Sequence, residues 1–166
     1  MSKFEKALGF VTERVALGAM AAVVVCVGLV VAHVIKRGIG TGLITGTNEV
    51  VTLLAGLILS LGIPYLTFVK GHVAVGILVD RLAPRKQAAF DVVTYGISLA
   101  ITMLIAWAMV GLGMKNQQSG WHSGVLAIPL FYFNYTIAAS LALTCVVLAK
   151  DLAKAVVTVV KGSEAT

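Results

Sequence analysis

Four long apolar runs divide the chain: Val15 to Ile35, Val50 to Val69, Val92 to Leu112 and Val125 to Leu148. Each holds 20 to 24 residues, and about 20 residues at a rise of about 1.5 Å cross the hydrocarbon core of a bilayer as a helix. Asp, Glu, Lys and Arg are absent from all of them. A charge at the bilayer centre costs about 2.5–3.5 kcal/mol even on the gentlest scale, so this absence fits spanning. The runs do not alternate apolar and polar positions, which argues against transmembrane strands. The pattern predicts an all-α membrane protein, with residues 1–166 forming a single four-helix membrane domain. The first run is too long for the apolar core of a secretory signal, and no A-x-A site closes it, so it reads as a retained helix.

Charge then orients the spans. Lys3, Lys6, Arg14, Lys70, Arg81, Arg85, Lys86, Lys150, Lys154 and Lys161 fall on one side; Lys36, Arg37 and Lys115 fall on the other. Positive residues stay cytoplasmic, so both termini and the middle loop are expected inside. The net charge of +6 is thereby a topology signal. No basic patch interleaved with aromatics is present, and nucleic acid is not an expected partner. With 59% hydrophobic and 12% charged residues, the composition lies far from that of a soluble domain, about a quarter of which is charged.

The connecting segments have their own patterns. Phe4, Leu8 and Val11 share one helical face, which predicts an amphipathic stretch in the headgroup region before the first span turns into the membrane. Between spans two and three, Val73, Ile77, Leu78 and Leu82 recur at helical spacing beside Asp80 and Arg81, predicting an amphipathic interfacial helix. Pro84 suits the first turn of an extension into span three. On the other side, a Gly- and Thr-rich loop leads to Thr47 or Asn48 as a helix cap and to Glu49 in the first turn, where the helix dipole favours an anion. Trp121 is placed as an interfacial anchor, and Pro64 and Pro129 are expected to kink spans two and four.

Candidate chemistry is sparse. Cys26 and Cys145 lie singly inside apolar runs and form no C-x-x-C, which leaves thiol redox chemistry and thiolate metal sites without a motif. His33 and His122 sit at similar depth, so a haem held between helices, as in a membrane redox subunit, is the alternative reading; otherwise they are interfacial polar residues. Serines and threonines in the spans have no paired base and are expected to bond to their own helix backbone. Asn134 is expected to bond a neighbouring helix. Stripes of small residues (Gly18, Ala22 and Cys26; Gly56 and Ser60; Gly96 and Ala100; Ala138 and Ala142) permit close helix approach, to each other or to a partner chain. A transport path normally needs ionisable groups or broken helices near the midplane. Four spans with neither read as a supporting subunit, with no enzymatic activity and no cofactor.

The order of motifs resembles the small membrane subunit, the DctQ-like small permease, of tripartite ATP-independent periplasmic (TRAP) transporters. Lys36-Arg37 closes span one and Glu49 opens span two about a dozen residues later. Gly71-His72-Val73, with Val79-Asp80-Arg81-Leu82-Ala83-Pro84-Arg85, is similar to the family's G-H-I/V segment and its L-x-D-R-L-P-P-R stretch. Gly124-Val125-Leu126-Ala127-Ile128-Pro129-Leu130, followed by Phe131, Tyr132 and Phe133, is similar to its A-L-x-I-P-x-W-x-x-Y entry into span four. The likeness runs from about Phe4 to Lys161. It departs at Gly46-Thr47-Asn48, where the family has a Trp, at Val50, where it has a second acidic residue, and at Ala74 and Gly76, where it often has a basic and an acidic residue.

The resemblance implies a sodium-coupled secondary transporter of a bacterial inner membrane. A periplasmic binding protein captures an organic anion, a large membrane subunit moves it inward, and the small subunit is part of the fixed scaffold. On that reading Lys36, Arg37 and Glu49 contact the periplasmic protein or a partner, while Arg81, Arg85, Lys86 and Trp121 anchor to membrane lipids.

Overall fold

Helix formation follows the apolar runs but overshoots them. A computed structural model describes residues 3–40, 42, 45–69 and 84–161, and shows four helices: α1 (Lys3–Gly38), α2 (Thr47–Phe68), α3 (Pro84–Ser119) and α4 (Phe131–Lys161). All four are long and apolar enough to cross a membrane. At 36 residues, α1 and α3 each run about 54 Å, well beyond the hydrocarbon thickness of about 30 Å.

The helices do not pack in chain order. α1 lies on α2, α2 on α4, and α4 on α3, so the two central helices are α2 and α4. The buried apolar residues show the same bias: Ala138, Leu141, Val147, Leu148 and Ala155 come from α4, and Leu8, Ala16 and Ala19 from α1. The α2–α4 seam carries a polar link, in which the Ser140 hydroxyl donates to the Ser60 carbonyl at 2.6 Å. Thr12, Thr67, Thr102 and Thr144 return their hydroxyls to carbonyls of their own helices, as apolar surroundings require.

Both ends of the described chain meet at one end of the bundle. There Lys154 on α4 pairs with Glu5 on α1. Lys150 bonds the buried Asp151 at 3.1 Å and stands 4.7 Å above the Phe68 ring. Gly9 makes room for that ring: a Cβ added there would lie 2.9 Å from Phe68 Cζ. One aromatic side chain of α2 is thus enclosed between α1 and α4.

Several expectations change. The amphipathic amino-terminal stretch is continuous with α1 and does not turn. Its packed side runs through Leu8, Thr12, Ala16 and Ala19 while Val11 is exposed, because a helix lying against α2 must keep one stripe along its whole length. α4 begins at Phe131, so Val125 to Leu130 form a turn outside the helix and Pro129 precedes it without kinking it. The cap of α2 is Gly46, at φ 82°, with no side-chain cap bond; Thr47 turns its hydroxyl to another helix. Asn134 Nδ2 is buried and has no hydrogen-bond partner among the described residues. Among the described residues nothing lies within 4 Å of a Cβ added at Gly18, Gly56 or Gly96, so these parts of the small-residue stripes are not consumed by packing between the described helices. α3 is described from Pro84 onward. The interfacial helix expected over Val73 to Leu82, and Arg81 with it, lies outside the described residues.

Candidate functional site

The end of the bundle opposite the paired termini is closed by a clasp. α1 ends there on the basic pair Lys36 and Arg37, which favours the carbonyl-rich end of a helix dipole; both residues are exposed. One turn earlier, His33 Nδ1 and Thr47 Oγ1 are 3.0 Å apart, tying the end of α1 to the start of α2. Thr47 is buried, which gives its hydroxyl a reason to find a partner.

Glu49 forms the second half of the clasp. Its carboxylate accepts from the backbone N–H of Leu126 at 2.9 Å and of Val125 at 3.3 Å. The turn it holds is also bonded to itself: Ser123 N–H donates to the Ile128 carbonyl and Ile128 N–H to Ser123 Oγ, both at 2.9 Å. His122 and Pro129 pair across its base. These bonds support Ala127 at φ 50°, a left-handed conformation that costs a residue with a Cβ about 1–2 kcal/mol. Successive backbone N–H groups turned to one side form an anion-binding nest, and Glu49 fills it from within the chain.

The glycine at the α2 cap completes the joint. A Cβ on Gly46 would lie 2.7 Å from Leu126 Cγ, so Leu126 seats directly on the α2 cap. Around the clasp is an open cavity of ≈ 570 Å³ lined by Asn48, Glu49, Thr52, Trp121, His122 and Ser123 among others. Trp121 is 65% exposed at its rim.

The structure therefore brings Lys36, Arg37, Glu49 and Trp121 to one end. Arg85 and Lys86 lie in the first turn of α3, far along that helix from its clasp end. Glu49 is engaged with the chain's own backbone. Its partners Ser123 to Leu126, and the His33–Thr47 contact, escaped the sequence reading. Glu49 and Leu126 are 77 residues apart, and backbone N–H groups carry no sequence signature. His33 is held by α2 and His122 by the turn. Among the described residues no three His, Cys, Asp or Glu side chains gather as a metal site. What the arrangement offers is a rigid polar surface with exposed cations and an aromatic rim.

The family profile described as "Tripartite ATP-independent periplasmic transporters, DctQ component" matches residues 26–158. That stretch includes the basic pair at the end of α1, Glu49, all of α2 and α3, the clasp turn and all but the last residues of α4, while the greater part of α1 precedes it. No curated protein and no solved structure matches the chain. With most of its length matched, and with four helices able to span a bilayer, the chain belongs to the DctQ component family of tripartite ATP-independent periplasmic transporters, a multi-pass membrane family without enzymatic activity.

Proposed function

We propose that this chain is the fixed scaffold of a sodium-coupled importer of an organic anion, working with a large membrane subunit and a periplasmic binding protein. The observation that carries this reading is the interior of the bundle. Among the described residues its buried polar groups are hydroxyls, the amides of Asn116 and Asn134, and Asp151, and Asp151 sits at the terminal end, beside Lys150. Among the described residues no ionisable group is buried midway along a span, where a substrate or coupling ion needs partners. Polar links such as Ser140 to Ser60 and the Glu49 clasp fix helices together, as a static support requires.

In this reading the paired termini face the cytoplasm and the clasp faces the periplasm, following the distribution of Lys and Arg. Lys36 and Arg37 then offer positive charge to the binding protein, and Glu49 shapes the surface beside them. Arg81, Arg85 and Lys86 meet anionic headgroups of the inner leaflet, and Trp121 the outer interface.

Reconstitution tests the scaffold role. Proteoliposomes holding both membrane subunits, with binding protein and a sodium gradient outside, are expected to accumulate substrate. Vesicles with the large subunit alone are expected to lose most of that uptake. Equal uptake in the two preparations would rule out the scaffold.

A further inference from the structure

The two outer helices of the row differ in what they present to their surroundings. The exposed side of α1 is aliphatic, with Val24 72%, Val25 61% and Val34 60% exposed, a surface that lipid tails satisfy. α3 instead carries Trp107, which is 83% exposed. Trp107 is eight residues, about 12 Å of helix rise, from Lys115, near the polar end of the span, and so lies at hydrocarbon depth. Tryptophan favours the membrane interface, where its N–H reaches water or headgroups. Among the described residues the Trp107 indole has no hydrogen-bond acceptor, and acyl chains supply none.

Trp107 also borders a groove. Between α3 and α4 an apolar hollow of ≈ 460 Å³ is lined by Met103, Ala106, Val110, Ala139, Ala142 and Cys145 together with Trp107. Its α4 wall of small side chains permits close approach of another backbone. A large aromatic with an unanswered donor, beside a wall of small residues, is the arrangement of an interface anchor.

We propose that this groove receives one transmembrane helix of the large membrane subunit, with a backbone carbonyl or hydroxyl of that helix accepting from the Trp107 indole N–H. The inference rests on the scaffold reading and adds the docking face to it. The donor at hydrocarbon depth decides between occupants: a lipid tail fills the volume but leaves the N–H unanswered, whereas a helix answers both. Membership in a tripartite transporter supplies a membrane partner able to provide that helix.

The test uses the assembled complex in its native membrane. A photoreactive benzophenone side chain is placed at position 107 or, on the opposite outer helix, at position 24. Illumination is expected to join the chain to the large subunit from position 107 and not from position 24. Crosslinking from position 24 alone, to a second copy of this chain, or only to lipid would overturn the docking face. Failure of the unmodified chain to co-purify with the large subunit would instead overturn the scaffold reading itself. A second variant tests the hydrogen bond. Trp107→Phe keeps an aromatic ring but removes the donor with part of the indole, and is expected to weaken co-purification by at least about threefold, the ratio typical of one hydrogen bond between membrane helices, with helical content unchanged by circular dichroism. Unchanged co-purification in Trp107→Phe would refute the acceptor.

Discussion

Gly46 and Ala127, both part of the clasp, stand in opposite relations to their backbone. Both have positive φ, 82° and 50°, but only the glycine adopts it without cost. Gly46→Ala is expected to destabilise the folded protein by about 1–2 kcal/mol for the backbone alone, and further because the added Cβ meets Leu126. Reversible unfolding in mixed micelles would show this as an earlier transition; no shift would mean that the joint is soft. Ser140 belongs to the same scale. Its hydroxyl is buried and donates to Ser60 at 2.6 Å, so Ser140→Ala removes a donor and leaves a carbonyl unanswered. The expected loss is about 0.6 kcal/mol and at most about 1.7, the range found for such bonds in membranes. The same unfolding assay reads it.

At the scale of elements, α2 is held to its neighbours differently at its two ends. At the clasp end Thr47 takes His33 from α1, and Glu49 takes the turn that leads into α4. At the terminal end Phe68 lies between Gly9 of α1 and Lys150 of α4. The clasp depends on one carboxylate accepting two backbone N–H groups, so Glu49→Gln weakens it without changing its size. Hydrogen exchange at the Val125 and Leu126 amides is expected to become severalfold faster, while amides within α4 keep their protection. If Val125 and Leu126 exchange as slowly as before, Ser123 and Ala127 hold the turn unaided. Pro129 shows how an element boundary is decided by such contacts. Span four is apolar from Val125 onward, yet helix begins only at Phe131, because Val125, Leu126 and Ile128 give their N–H groups to Glu49 and Ser123 and Pro129 has none to give.

At the scale of the whole molecule, the even number of long helices and the Glu5–Lys154 contact put both described ends of the chain at one end of the bundle. Which side of the membrane that end faces is a matter of charge. With Cys26 and Cys145 replaced by alanine, Lys115→Cys is expected to react with a membrane-impermeant thiol reagent added to intact cells. Lys154→Cys is expected to react only after the membrane is opened. The reverse pattern would invert the orientation and remove Lys36 and Arg37 from any contact with a periplasmic protein.

How much was legible in the sequence differs by the range of the forces involved. The four apolar helices and the all-α class follow from hydropathy and local backbone chemistry, which act over a few residues and leave a mark in the sequence. The family motifs were legible because they lie in order along the chain. Packing order left no such mark: every span is apolar on most sides, so nothing local says that α2 and α4 are central or that α1 and α3 are outermost. The role of Glu49 was hidden for the same reason, since its partners are main-chain groups 76 and 77 residues away. Sequence alone determined that the chain holds four segments apolar and long enough to cross a membrane and to which family of transporters it belongs. Only the tertiary structure decided that its acidic residue closes a joint within the chain, and that Trp107 stands open beside a groove, because both depend on which helix lies next to which.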